Sequence, residues 1–142
     1  MSLTMTQQER EAFLADLHVG ILGVNHGKVP LAVPIWYAYE PGGDVWVITN
    51  RESIKGKALD ATGRFSLCAQ SEDLPYKYVT VAGSVSVVED SSHDTLLTMA
   101  TRYLGPKLGA QYAEASATTG GSTLYRLRPE RWYTVDYSKN VG

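Results

Sequence analysis

The polar chemistry of this chain concentrates in one stretch, Ile48-Thr49-Asn50-Arg51-Glu52-Ser53-Ile54-Lys55-Gly56-Lys57. Two hydroxyls, an amide and three cations stand within ten residues. The apolar run Val45-Trp46-Val47-Ile48 reads as a strand, and Lys55 to Ala61 reads as a short helix with Ser53 as its N-cap. A helix N-terminus carries about +0.5 of a charge and several unpaired N–H groups, which disfavours lysines there unless an anion stands between. A phosphate group satisfies the N–H groups and the ammonium groups together. Residues two apart on a helix do not share a face. Thr49, Ser53 and Lys55 are therefore the expected phosphate ligands, with Arg51 and Lys57 secondary. The competing reading makes all three cations solvated surface residues.

The elements before this stretch must position it. Thr6 to Leu17 reads as a helix, with Thr6 and Glu9 as a capping box and Phe13, Leu14 and Leu17 as its apolar face. His18 to Asn25 reads as a strand, followed by the turn Asn25-His26-Gly27-Lys28. One long strand is expected from Val29 to Tyr39, then the turn Pro41-Gly42-Gly43-Asp44 and the strand Val45 to Thr49. Pro30 and Pro34 cannot donate to a ladder, so they mark an edge or a bulge. Such an edge is either protected from aggregation or faces a ligand. Trp36 and Tyr37 fall on opposite faces, and a flat apolar edge beside them suits a planar ring.

After the helix, Arg64 to Gln70 reads as a strand and Ser71 to Pro75 as a loop. Tyr76 to Val88 alternates, with Gly83 as the expected bulge. Ser91 to Leu104 is expected to be helical and to stop at Gly105-Pro106; Leu108 to Ala115 reads as a second short helix. Ser116 to Ser122 reads as a mobile loop. Thr123 to Leu127 and Arg131 to Tyr137 are expected as two closing strands around Arg128-Pro129-Glu130. Six or seven strands with short antiparallel connections imply a small closed barrel.

The chain of 142 residues, 44% hydrophobic and 20% charged, suits one soluble globular domain. A net charge of −2 gives no reason to expect nucleic acid or an anionic membrane as partner. The polar N-terminus and the lack of a spanning apolar run predict a cytoplasmic protein. Cys68 stands alone and reads as a small buried hydrophobe. His18, His26 and His93 lack metal-ligand spacing, so no metal site is expected. No Walker, Gly-x-Gly-x-x-Gly or Gly-x-Ser-x-Gly pattern occurs.

The ordered set Thr49-Asn50-Arg51-Glu52-Ser53-Ile54-Lys55-Gly56-Lys57-Ala58-Leu59-Asp60, then Arg64-Phe65-Ser66-Leu67, resembles the flavin-binding split-barrel family typified by pyridoxamine 5′-phosphate oxidase. Ala61-Thr62-Gly63-Arg64 replaces the family's usual Asn-Pro. The hairpin Gly27 to Trp36, the segments Tyr76-Lys77-Tyr78-Val79 and Gly83-Ser84-Val85, and the turn Arg128-Pro129-Glu130-Arg131-Trp132 are similar too. The chain looks closest to short members that bind the deazaflavin coenzyme F420 in place of FMN. Val33-Pro34-Ile35-Trp36-Tyr37-Ala38 carries no basic residue, and an extension completing a pyridoxal-phosphate site is not seen. Both speak against pyridoxamine phosphate oxidation.

The resemblance implies a mainly β fold with flanking helices: a six-stranded antiparallel split barrel working as a homodimer. The cofactor would lie in a groove at the dimer interface. Ile48, Thr49, Asn50, Arg51, Ser53, Lys55 and Lys57 would surround its phosphate end. Pro34, Ile35 and Trp36 would lie along the ring, and Tyr78 and Trp132 would close the pocket from the partner subunit. Hydride transfer by such a cofactor needs no protein nucleophile, so no catalytic residue is named. Tyr37, Tyr76 and Tyr78 stay open as proton donors. Three functions follow: a deazaflavin-dependent reductase of a conjugated small molecule, an FMN oxidoreductase, or a non-catalytic cofactor carrier or sensor.

Overall fold

The computed structural model describes residues 2–117 and 121–140. Helix α1 (Gln7–Ala15) starts at a complete capping box. The Thr6 hydroxyl accepts the Glu9 N–H at 3.2 Å, and the Glu9 carboxylate accepts the Thr6 N–H at 2.7 Å. The helix ends before Leu17, which is left exposed instead of joining the apolar face.

Strands β1 (Gly20–His26) and β2 (Val29–Ile35) form the expected hairpin, and Pro30 and Pro34 lie on an edge strand. The expected strand from Val29 to Tyr39 is broken in two. β2 stops at Ile35, and a two-residue strand, β3 (Ala38–Tyr39), follows. The cause is visible at Tyr37. Its N–H goes to the Tyr103 hydroxyl at 3.1 Å, and its carbonyl accepts from Arg102 Nε and the Tyr103 hydroxyl, both at 3.0 Å. Side chains of a helix take the backbone groups that a neighbouring strand would otherwise pair.

β4 (Val45–Asn50) leads into helix α2 (Ile54–Thr62), then β5 (Arg64–Ser71) and β6 (Lys77–Asp90). Helix α3 (His93–Ala117) carries non-helical Gly105. It therefore consists of two helical segments, as the Gly105-Pro106 stop predicted. A Cβ on Gly109 would stand 2.8 Å from the Thr101 backbone. In a straight helix, residues eight apart lie about 12 Å from each other. The second segment is therefore folded back against the first. The loop expected over 116–122 falls partly on 118–120, which lie outside the described residues; residues 116–117 close α3 and Ser122 opens β7.

The two expected closing strands are one, β7 (Ser122–Asp136). Gly83 pairs with Pro129 while Ala82 pairs with Arg131, so Glu130 bulges and the strand bends without ending. Gly83 has to be glycine, because a Cβ there would overlap the Arg128 carbonyl.

All pairings are antiparallel, in the order β2-β1-β5-β6-β7-β4-β3. The seven strands fall within the six or seven read from the sequence and exceed by one the six that the resemblance implies, β3 being separate. The order leaves two edges, β2 and β3, where a fully closed barrel has none. In a flat sheet these edges would lie about 29 Å apart, at about 4.8 Å per strand spacing. The step from Ile35 to Ala38 spans at most about 11 Å. The sheet must curl until its edges approach one another. Its concave side encloses a core that includes Leu22, Tyr37, Val47, Leu67, Val81 and Leu127.

Candidate functional site

The end of β4 and the start of α2 form one rim of a cleft of about 530 Å³. Ser53 caps α2: its hydroxyl accepts the Gly56 N–H at 3.1 Å and donates to the Asn50 carbonyl at 2.6 Å. The Thr49 hydroxyl lies 3.4 Å from it. The N–H groups of Ile54 and Lys55, at the first helical positions, have no acceptor within the helix. Gly56 is buried, and a Cβ there would overlap the Asn50 carbonyl and stand 2.9 Å from that of Arg51. Glycine at this position lets the helix close directly onto the strand end.

Of the residues expected at the site, the structure brings together Pro34, Ile35, Trp36, Ile48, Thr49, Asn50, Ser53 and Lys55. They form a polar end at α2 and an apolar wall along the end of β2. Lys55 is the one charged side chain among the described lining residues.

Arg51 and Lys57 do not line the cleft. Arg51 Nε donates to Asp60 at 2.9 Å, which holds its pKa above the ordinary value. Asp60 also meets the Tyr125 hydroxyl at 3.3 Å, and burial together with Asp60 pushes the Tyr125 pKa up to about 12. Lys57 Nζ lies 3.9 Å from Glu52. The charge at the turn is thus largely paired on the outer face of α2.

Tyr78 and Trp132 also lie away from this cleft within the chain. Tyr78 pairs with Gln70 and Val135 in the sheet, and Trp132 packs under Arg10. The open proton donors fare differently. The buried Tyr37 hydroxyl donates to the Leu14 carbonyl at 2.7 Å, and neither Tyr76 nor Tyr78 reaches the cleft.

The remaining wall was missed in the sequence. Val19, Leu96, Met99, Tyr112, Ser116 and Ser122 complete the lining. Trp36 stacks on Tyr103 with ring centres 5.0 Å apart at 5°, and Tyr112 tilts against it at 5.3 Å. Tyr112 is the one tyrosine lining the cleft among the described residues. The signal for this wall was the Gly105-Pro106 break, which turns α3 back toward Trp36.

The family described as pyridoxamine 5′-phosphate oxidase matches residues 6–136. The chain belongs to that family. No curated protein matches it. Among solved structures, a conserved hypothetical protein from Mycobacterium tuberculosis is 20% identical, with a TM-score of 0.80 over 97% of this chain and 89% of its own. A structure described as an F420 reductase is 19% identical, with a TM-score of 0.70 over 87% and 94%. A FAD-binding protein from Mesorhizobium loti is also 19% identical, with a TM-score of 0.61 over 92% of each chain. At this identity the likeness to these structures is one of fold. Membership of the pyridoxamine 5′-phosphate oxidase family makes flavin-related binding or oxidoreductase chemistry plausible for the chain. No helix among the described residues is long and apolar enough to cross a membrane.

Proposed function

We propose that this chain binds a phosphate-bearing flavin or deazaflavin in the cleft between β2 and α2 and acts as an oxidoreductase on a conjugated small molecule. The observation that carries this reading is the division of the cleft. One end offers Lys55, the Ser53 and Thr49 hydroxyls and the first turn of α2; the wall beside it is Pro34, Ile35 and Trp36. An anionic tail and a planar ring need those two surfaces in that order. When bound, the cofactor supplies the hydride chemistry. The chain's own part is to hold the phosphate at Lys55, seat the ring against Trp36 and exclude water with Leu96, Met99 and Tyr112.

The deazaflavin F420 is the proposed cofactor, supported by family membership and by the fold shared with the F420 reductase. Its anionic tail would recruit Arg51 and Lys57 from their ion pairs, which are exposed and worth at most about 1 kcal/mol each. FMN is the second reading, favoured by the pairing of those cations, which leaves Lys55 alone to face a single phosphate. Purified protein titrated with each cofactor at low and high salt tests both. Tighter F420 binding that weakens with salt more than FMN binding does supports the first. Tighter FMN binding at both salts transfers the assignment to FMN, and binding of neither at micromolar concentration removes the proposal. Binding without oxidation of reduced cofactor by any conjugated acceptor would make the chain a carrier or sensor.

A homodimer belongs to the same proposal. Tyr78 and Trp132 would reach the cleft only from a second copy, and Val19, Ile21 and Ile54 leave apolar side chains exposed. Sedimentation should give twice the chain mass at micromolar concentration; a monomer with cofactor present would exclude both residues from the site.

A further inference from the structure

A second cleft, of about 380 Å³, shares no residue with the first. It forms where α1, the turn between β3 and β4, and β7 meet. Arg10 and Glu11 come from α1, Tyr39 and Asp44 flank the turn, and Arg128 and Trp132 come from β7.

The Arg10 guanidinium carbon stands 4.6 Å from the centre of the Trp132 ring. A guanidinium on an aromatic face is attracted through its plane, while its N–H groups point outward along its edges. Arg10 Nε is buried without a hydrogen-bond partner, the one such side-chain atom among the described residues. A buried donor left unmatched is costly and calls for a ligand. Neither Arg10 nor Arg128 forms an ion pair among the described residues. Tyr39 is 4% exposed, and its hydroxyl accepts the Gly42 N–H at 3.3 Å, which leaves the phenolic proton to donate. Burial raises the Tyr39 pKa, so the proton stays on at neutral pH.

We propose that this cleft binds a small monocarboxylate, held by Arg10, Arg128 and Tyr39 beside the Trp132 ring. The planar fork of a guanidinium matches a carboxylate. The charge of the ligand is limited by the two acids in the same lining, Glu11 and Asp44; Asp44 also accepts the Ser86 hydroxyl at 2.8 Å. The two acids offset the two arginines, so a second negative charge gains no net attraction, and the flat fork and the Trp132 ring favour an aromatic carboxylate over a tetrahedral phosphate. The site lies outside the first cleft of the same chain and shares only Trp132 with the proposed dimer contact, so titration without added flavin or deazaflavin reads it apart from the cofactor proposal.

Calorimetric titration of the full chain with benzoate, and separately with inorganic phosphate, tests the proposal. Benzoate should bind saturably at one site per chain, and phosphate at least about tenfold more weakly. Arg10→Lys keeps the charge but loses the fork, and Tyr39→Phe loses the proton; each should weaken benzoate by about three- to tenfold. Thermal melting checks that the variants fold. In the unaltered protein, the Arg10 Nε–H nuclear magnetic resonance should shift on saturation with benzoate, which needs no variant. No saturable binding up to tens of millimolar, on the order of the weakest useful affinities, would overturn the site. So would an unshifted Arg10 resonance, unchanged affinity in folded variants, or phosphate binding tighter than benzoate.

Discussion

Gly56 lies against the carbonyl oxygen of Asn50, so closely that a methyl group could not be placed between them. This contact fixes the first turn of α2 on the last residue of β4, where the Ser53 cap and Lys55 are presented. Gly56→Ala would gain about 1 kcal/mol of helix propensity but must push the helix off the strand, at a cost of about 1–3 kcal/mol. A net loss of stability by urea denaturation is expected, with weaker cofactor binding than in the parent. A more stable variant with unchanged affinity would show that the contact positions nothing.

Lys55→Ala should weaken cofactor binding about tenfold to a hundredfold, since a charge-assisted hydrogen bond contributes about 1.5–3 kcal/mol. Arg51→Ala and Lys57→Ala should each do less, because Asp60 and Glu52 already occupy those side chains. Fluorescence titration of the three variants gives the order. If Arg51→Ala has the largest effect, the phosphate sits on the outer face of α2 and not in the cleft.

Gly105 has φ 82° and ψ 170°, a region open essentially to glycine alone. Gly105→Ala should therefore cost about 1–3 kcal/mol and loosen the packing of Tyr112 on Trp36. Denaturation reports the first effect, and a change in Trp36 emission reports the second. A variant as stable as the parent would mean that the reversal of α3 does not depend on this backbone conformation.

Glu9 carries a pH dependence of known sign. Its hydrogen bonds to Lys139 and to the Thr6 N–H lower its pKa from 4.5 to about 2. A group depressed on folding contributes stability above its unfolded value and loses it as pH falls through the folded one. The parent should therefore melt above Glu9→Gln at pH 7, and the difference should shrink from about pH 4.5 downward and vanish near pH 2. A difference independent of pH would assign the effect to side-chain shape alone.

The polar end of the cleft was legible because its signals are local. The cap at Ser53, the cation at Lys55 and the strand before them lie within a few residues of one another. The edge position of β2 was legible from Pro30 and Pro34, since a missing N–H confines a proline to an edge or a bulge. The break after Ile35 was not, because the groups that end the strand sit on Arg102 and Tyr103, far along the chain. Arg128-Pro129-Glu130 read as a turn, since nothing local reveals that Gly83 on the neighbouring strand lets β7 continue through a bulge. Arg51 and Lys57 show the same limit for charge. Their place at a helix start suggests an anion and their spacing makes them secondary to Lys55, while pairing with Asp60 and Glu52 is decided by the helix that carries them.

The place of β7 between β6 and β4 bears on how the protein is made. As the polypeptide leaves the ribosome, β2, β1, β5 and β6 can zip together in turn, and β3 can fold onto β4. These two pieces share no strand pairing until residues 122–136 emerge. Until then β6 offers an unpaired edge of apolar alternation to every other nascent chain nearby. The last described strand to be synthesised is thus the bolt that locks the two halves, and their joining is late, set by long-range pairing. Crowded overexpression, in which neighbouring chains compete for that edge, is where misassembly should first show itself.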